Sequence, residues 1–160
     1  MRHRSRHLRP SVATGTLSAV ALLAVPVALG AKTAVPAGVT VDITVTHLRN
    51  AKGTVWACMT TQAEAFPKCE KDAASYRASA PAHDAIELRF DDVQPGTYAI
   101  ALMHDENGNG KIDKTLILPR EGFGFSRDAA VKMGPPSFSA AAFDVGAQPV
   151  HQVIKMRYLL

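Results

Sequence analysis

From Val39 to Thr46 the chain alternates without a break: Val39, Val41, Ile43 and Val45 are apolar, while Thr40, Asp42, Thr44 and Thr46 between them are polar. A period of two sends the two sets to opposite faces, so this segment predicts a half-buried strand. Residues 49–53 then supply turn chemistry, and Thr54–Thr60 (TVWACMT) is expected to return as the hairpin partner. Alternation resumes at Ile86, Leu88 and Phe90, with Glu87 and Arg89 facing out. The turn at 91–96, where Pro95 adjoins Gly96, leads to a further strand through Tyr98, Ile100 and Leu102. Val150, Ile154, Met156 and Tyr158, set against Val153, Lys155 and Arg157, predict a strand near the end of the sequence.

Between these strands the pattern is weaker. Residues 62–82 are rich in alanine and charge and punctuated by Pro67 and Pro81, which predicts a loop with one helical turn at most. Two further short strands are expected, around 116–118 and 138–145. No long amphipathic helix is present and no βαβ spacing occurs. The expected fold is therefore all-β: a small antiparallel Greek-key β-sandwich of about seven strands, with long loops and little helix.

The first thirty residues follow a different logic. Arg2, Arg4, Arg6 and Arg9 precede an apolar run at 17–29, and Ala28 and Gly30 place small residues at the −3 and −1 positions of a cleavage site. That order is expected of a secretory signal peptide over 1–30, and the run is short for a retained membrane anchor. Residues 31–38 then form a tether, and 39–160 a single domain. Taking the four arginines of the leader from the 18 basic residues leaves 14, which match the 14 acidic ones. The basic sequence pI of 9.3 thus belongs to the leader, and nucleic acid is excluded as a partner. The expected location is periplasmic or extracellular, with no transmembrane anchor after cleavage.

Export also bears on the cysteines. Cys58 and Cys69 are the only two, and an oxidising compartment favours their disulfide over two buried thiols. Closing that 12-residue loop is worth about 3 kcal/mol in the chain-entropy model.

The segment HDENGNGKID carries the clearest candidate chemistry. Asp105, Asn107, Asn109 and Asp113 stand at positions 1, 3, 5 and 9 of a calcium loop, with Gly110 at position 6 and the Lys111 carbonyl at position 7. Leu116 occupies position 12 in place of a bidentate Glu, so any such site is weak, with Kd roughly 10⁻⁴–10⁻³ M. All the side-chain donors are hard oxygens, which disfavours zinc or copper, so any metal bound here is expected to be calcium. The same Asn-Gly pairs are also tight-turn dipeptides that need no metal.

Aromatics set among glycines follow at Phe123 and Phe125, beside Arg120 and Glu121. Together with His104 they are a candidate ligand surface for a sugar or peptide; equally, such rings pin a long loop onto the end of a sandwich. No nucleophile elbow, metalloprotease motif or triad spacing accompanies the histidines, so no catalytic residue is assigned.

The segments FDDVQPGTYAIALMHDENGNGKID, PREGFGFS and MGPPSFSAAAFDV resemble the small secreted bacterial proteins grouped as domain of unknown function 2141. That resemblance implies an envelope or extracellular β-sandwich akin to transthyretin-like and carboxypeptidase-regulatory-like modules, and it brings no activity with it. Three function classes follow. The first is a non-catalytic envelope module that binds an envelope protein or a glycan, or serves structurally. The second is a weak calcium-binding domain. The third is a transthyretin-like hydrolase, a class ending in Tyr-Arg-Gly-Ser where this sequence ends Met-Arg-Tyr-Leu-Leu.

Overall fold

In the computed structural model of the chain, residues 37–69, 72–110, 114–115 and 118–159 are described; the expected signal peptide and most of the tether fall outside them. The alternation at the start of the domain is realised as strand β1 (Val39–Thr46), whose Val41, Ile43 and Val45 are fully buried. β2 (Thr54–Thr60) buries Val55, Ala57 and Met59 in the same way. The two are not a hairpin, as the pattern had suggested. β1 lies between β4 (Ile86–Val93), antiparallel to it, and β10 (Val150–Lys155), parallel to it. β2 lies between β3 (Tyr76–Pro81) and β5 (Gly96–Asp105) in a second sheet, continued by β8 (Gly122–Phe125). The chain between β1 and β2 therefore crosses from one sheet to the other, and their apolar faces belong to one shared core. Alternation specifies which side chains turn inward; it does not say whether two inward faces share a sheet or oppose each other.

The described residues hold ten strands, more than the seven expected, in an all-β sandwich-like fold. β3 emerges from the alanine-rich stretch read as loop, its Tyr76, Ala78 and Ala80 packing against the core with little apolar bulk to announce them. β6 (Lys114–Thr115) and β7 (Leu118–Pro119) form a minimal hairpin. Residues 138–145 divide: Phe138–Ala141 is a helical turn (α1) capped by Ser137, whose side chain accepts from the Ala140 N–H, and only Phe143–Val145 (β9) is strand, pairing with the start of β5. No helix among the described residues is long and apolar enough to cross a membrane.

β5 is buried on both faces, which explains its nearly continuous apolar sequence. One face meets the main core. Ala99 and Ala101, on the other, lie under a second apolar cluster with Phe125, Ala129 and Ala141, joined by Phe66, Phe123, Val131 and Phe138. The Phe66 ring meets Phe125 edge-on at 5.8 Å and Phe138 at 6.1 Å. The loop carrying Phe66 is tied to β2 by the Cys58–Cys69 disulfide.

The outer edge of β10 is protected by the turn Ser126–Asp128. The Asp128 carboxylate accepts the Lys155 N–H at 3.0 Å, and the Gln152 side chain accepts the Arg127 N–H at 3.3 Å. Arg127 and Asp128 adopt φ of 57° and 50° to reach these partners. Such conformations cost on the order of 1 kcal/mol each, offset here by satisfying an edge that would otherwise invite a foreign strand.

Beyond β10 the chain changes sheets. The Met156 N–H still donates to Thr46 O at 2.8 Å on β1, but Arg157 exchanges two backbone bonds, 2.9 and 2.8 Å, with Phe123 on β8. That crossover delivers Tyr158 to the end of the sandwich where β5 finishes.

Candidate functional site

β5 ends in His104 and Asp105, both fully buried. The His104 Nε2 lies 2.7 Å from the Lys52 carbonyl, which only accepts, so Nε2 carries hydrogen. Nδ1 lies 2.7 Å from the Tyr158 hydroxyl, and that hydroxyl in turn accepts the Arg49 backbone N–H at 3.2 Å. With the imidazole neutral, one arrangement satisfies these contacts: Arg49 N–H donates to Tyr158 Oη, Tyr158 O–H donates to Nδ1, and Nε2–H donates to Lys52 O. Burial pushes the Tyr158 pKa up, which keeps that hydroxyl a donor. Gly122 makes room for the ring, since a Cβ there would stand 2.4 Å from Tyr158 Cε1.

Arg49 closes the arrangement from above. Its guanidinium stacks over the Tyr158 ring at 4.5 Å, donates to both Glu106 oxygens at 2.7 and 2.5 Å, and donates to Arg120 O at 3.0 Å. Asn50 adds a hydrogen bond to Glu106 at 2.6 Å. The hydrogen bond from Arg49, above all, holds the Glu106 carboxyl below the usual carboxylate range, and the same bond raises the Arg49 pKa. Because the folded pKa is depressed, Glu106 contributes stability above its unfolded pKa of about 4.3, and that contribution is lost as pH falls through the folded value. Urea melts of wild type and Glu106→Gln should therefore differ most near neutrality and converge below about pH 4. A gap that stays constant down to pH 3 would show that the Arg49–Glu106 pair is not its source.

The candidate calcium loop begins at this same end. Asp105 Oδ1 accepts the Gly108 and Asn109 N–H groups at 2.8 and 3.2 Å, and Oδ2 accepts the Gly110 N–H at 2.7 Å. Asn107 accepts the Asn109 N–H at 3.1 Å, and Gly108 and Gly110 take φ of 71° and 70°. Over the described residues the loop is thus folded around the Asp105 carboxylate by its own backbone amides. Lys111 and Asp113, the other two candidate ligands, lie outside the described residues.

The candidate ligand surface is divided. His104, Glu121 and Phe125 are buried, Phe123 is half-buried, and only Arg120 is exposed. His104 is a structural hub, and Phe125 anchors the second apolar cluster.

An adjoining surface, which shares Phe123 with the candidate one, is more open. On the outer face of the second sheet, register places Trp56 of β2 beside Met103 of β5, and Met103 beside Phe123 of β8. Trp56, the only tryptophan in the chain, is 45 % exposed. It was legible as an anomaly: it sits on the outward phase between Val55 and Ala57, where alternation calls for a polar residue. Arg49, Asn50 and Glu106 had no such signal, because a turn and a loop that meet only in the fold carry no shared pattern.

The sequence profile of the family described as "Uncharacterized protein conserved in bacteria (DUF2141)" matches residues 43–153, and the chain belongs to that family. No curated protein and no solved structure matches it.

Proposed function

We propose that this DUF2141 chain is an exported, non-catalytic envelope module that binds extended glycans on the outer face of its second sheet. The observation that carries the reading is the row Trp56–Met103–Phe123, with its indole exposed on a rigid strand. Large aromatics held open on regular structure serve as contact platforms, because they present area at small conformational cost. Adjacent strands lie about 4.8 Å apart, so Trp56 and Phe123, two strands apart, are spaced by roughly 9.6 Å. In a β-1,4-linked polysaccharide every second ring presents the same face, at a similar repeat. An open sheet face suits such a chain better than it suits a compact small molecule, which needs a concave site.

The non-catalytic part of the reading is supported by His104, whose two ring nitrogens are taken up by Tyr158 and Lys52. Export is supported by the basic, apolar and small-residue order of the leader and by the disulfide. Envelope-fraction protein whose intact mass lacks residues 1–30 is the expected result, and a membrane-bound species retaining them would refute cleavage after Gly30.

Because Trp56 is the only tryptophan, its emission reports the surface directly. Titration with β-1,4-linked N-acetylglucosamine oligomers should give a saturable change, whereas α-1,4-linked glucose oligomers should give none. Trp56→Ala should weaken binding by about 30-fold or more, followed by calorimetry. Equal responses to both sugars, or no response to the β-linked one, would overturn the glycan reading.

A further inference from the structure

The methionines of the described residues differ sharply in exposure. Met59 and Met156 are buried in the main core, Met103 is half-buried in the aromatic row, and Met133 is 103 % exposed. Met133 stands in the loop that follows the second apolar cluster, between Lys132 and the run Gly134-Pro135-Pro136. The flexible thioether that lets methionine fill core gaps contributes nothing of that kind here, since this side chain lies wholly in water. Its sulfur remains the softest and most accessible nucleophile on the described surface, because both cysteines are committed to the disulfide and no free thiol competes with it there.

We propose that Met133 is an oxidation site, converted to the sulfoxide by peroxide-class oxidants ahead of the other described methionines and without loss of the fold. In the step, a sulfur lone pair attacks one oxygen of hydrogen peroxide. The O–O bond breaks as the S–O bond forms, the proton on the transferred oxygen passes to the departing oxygen, and water leaves. Sulfur is oxidised by two electrons and the peroxide is reduced by two. Susceptibility along this ladder follows accessibility, which separates Met133 from the rest. The new oxygen points into solvent, so it carries no desolvation cost. The same reaction at Met59 or Met156 would place a polar group in the core. The loop tip thereby changes from apolar to polar while the sandwich beneath it is untouched, and sulfoxide reductases make such a change reversible.

The test is timed treatment of the intact protein with hydrogen peroxide, followed by quenching, proteolysis and mass mapping. Sulfoxide at Met133 should form roughly tenfold faster or more than at Met103, Met59 or Met156, in line with its accessibility. The melting temperature should be unchanged when Met133 alone has reacted. Met133→Leu should abolish the fast phase and leave the slower rates as they were. Oxidation of Met103 or a core methionine at the same rate, a fast phase that survives in Met133→Leu, or a melting temperature that falls with the first sulfoxide would each overturn the proposal.

Discussion

Tyr158→Phe is expected to destabilise the domain by about 1–3 kcal/mol through the loss of one hydroxyl group, and Tyr158→Ala by about 3–4 kcal/mol. The phenylalanine variant keeps the ring on which Arg49 stacks, so the cation–π contact survives and only hydrogen bonding changes. What changes is costly because His104 is fully buried: Nδ1 loses the donor at 2.7 Å and is left as an unsatisfied polar group away from solvent. The alanine variant also removes the ring, opening space beside Gly122 and uncovering Arg49. A double-mutant cycle separates the contributions. His104→Leu removes the nitrogen that needs a donor, so Tyr158→Phe should cost less in that background than in wild type: the Arg49 N–H loses its acceptor in both, but a buried imidazole nitrogen is stranded only in the second. Denaturant melts of the four proteins measure this. If Tyr158→Phe costs the same in both backgrounds, the hydroxyl–imidazole bond is not what holds the end of the sandwich.

The parts of this molecule that sequence discloses are those where one strand faces a core on one side and water on the other. β1 and β4 are of that kind: Val41, Ile43 and Val45, or Ile86, Leu88 and Phe90, alternate with charged or hydroxylated residues and are found buried in that phase. β8 is not, because its inward positions are the glycines Gly122 and Gly124, packed against Tyr158 and Ile154, while its apolar residues Phe123 and Phe125 lie on the outer face, where alternation calls for polar ones. β3 is short of apolar bulk, so its alternation of tyrosine and alanine against arginine and serine falls below notice. At β8 the second cluster is the deeper reason. It forms from the 58–69 loop, the 125–131 segment and α1, which are distant in sequence, and its rings carry no period that any one segment could show.

The candidate site divides along the same line. The Asn-Gly repeat announced a tight loop, and the loop is there, built on the Asp105 carboxylate. The His104–Tyr158–Arg49–Glu106 assembly joins positions up to 109 residues apart, and each of its members reads alone as an ordinary turn or strand residue. The aromatic row falls in between. Trp56 is visibly out of phase, yet its alignment with Phe123 depends on the order β2–β5–β8, which alternation does not determine.

Replacing Cys58 and Cys69 together with alanine is expected to cost about 3 kcal/mol, a fall in melting temperature on the order of 10 °C for a domain of this size. Their Cα atoms lie 6.3 Å apart, within the ordinary range for a disulfide, so the bridge fits the backbone it joins. Its contribution is made chiefly in the unfolded chain, where it closes a loop with a sequence separation of 11. In the folded state the same segment has a second anchorage: Asp72 accepts hydrogen bonds from Thr60 at 2.5 Å, Gln62 at 3.1 Å and the Ala74 N–H at 2.9 Å. Phe66 further seats the loop between Phe125 and Phe138. The double-alanine protein should therefore still fold, with the same strand signal in circular dichroism and a lower melting point. Hydrogen exchange should show the loss of protection spread over the whole domain, with residues 62–69 opening no more than the second cluster they cover. Reduction of wild type should reproduce the shift. Phe66→Ala, which leaves the bridge intact, should lower stability by removing packing in the native state, and its effect should add to that of the cysteine pair. Equal melting temperatures for oxidised wild type, reduced wild type and the double-alanine protein would mean that the loop is held by Asp72 and Phe66 alone.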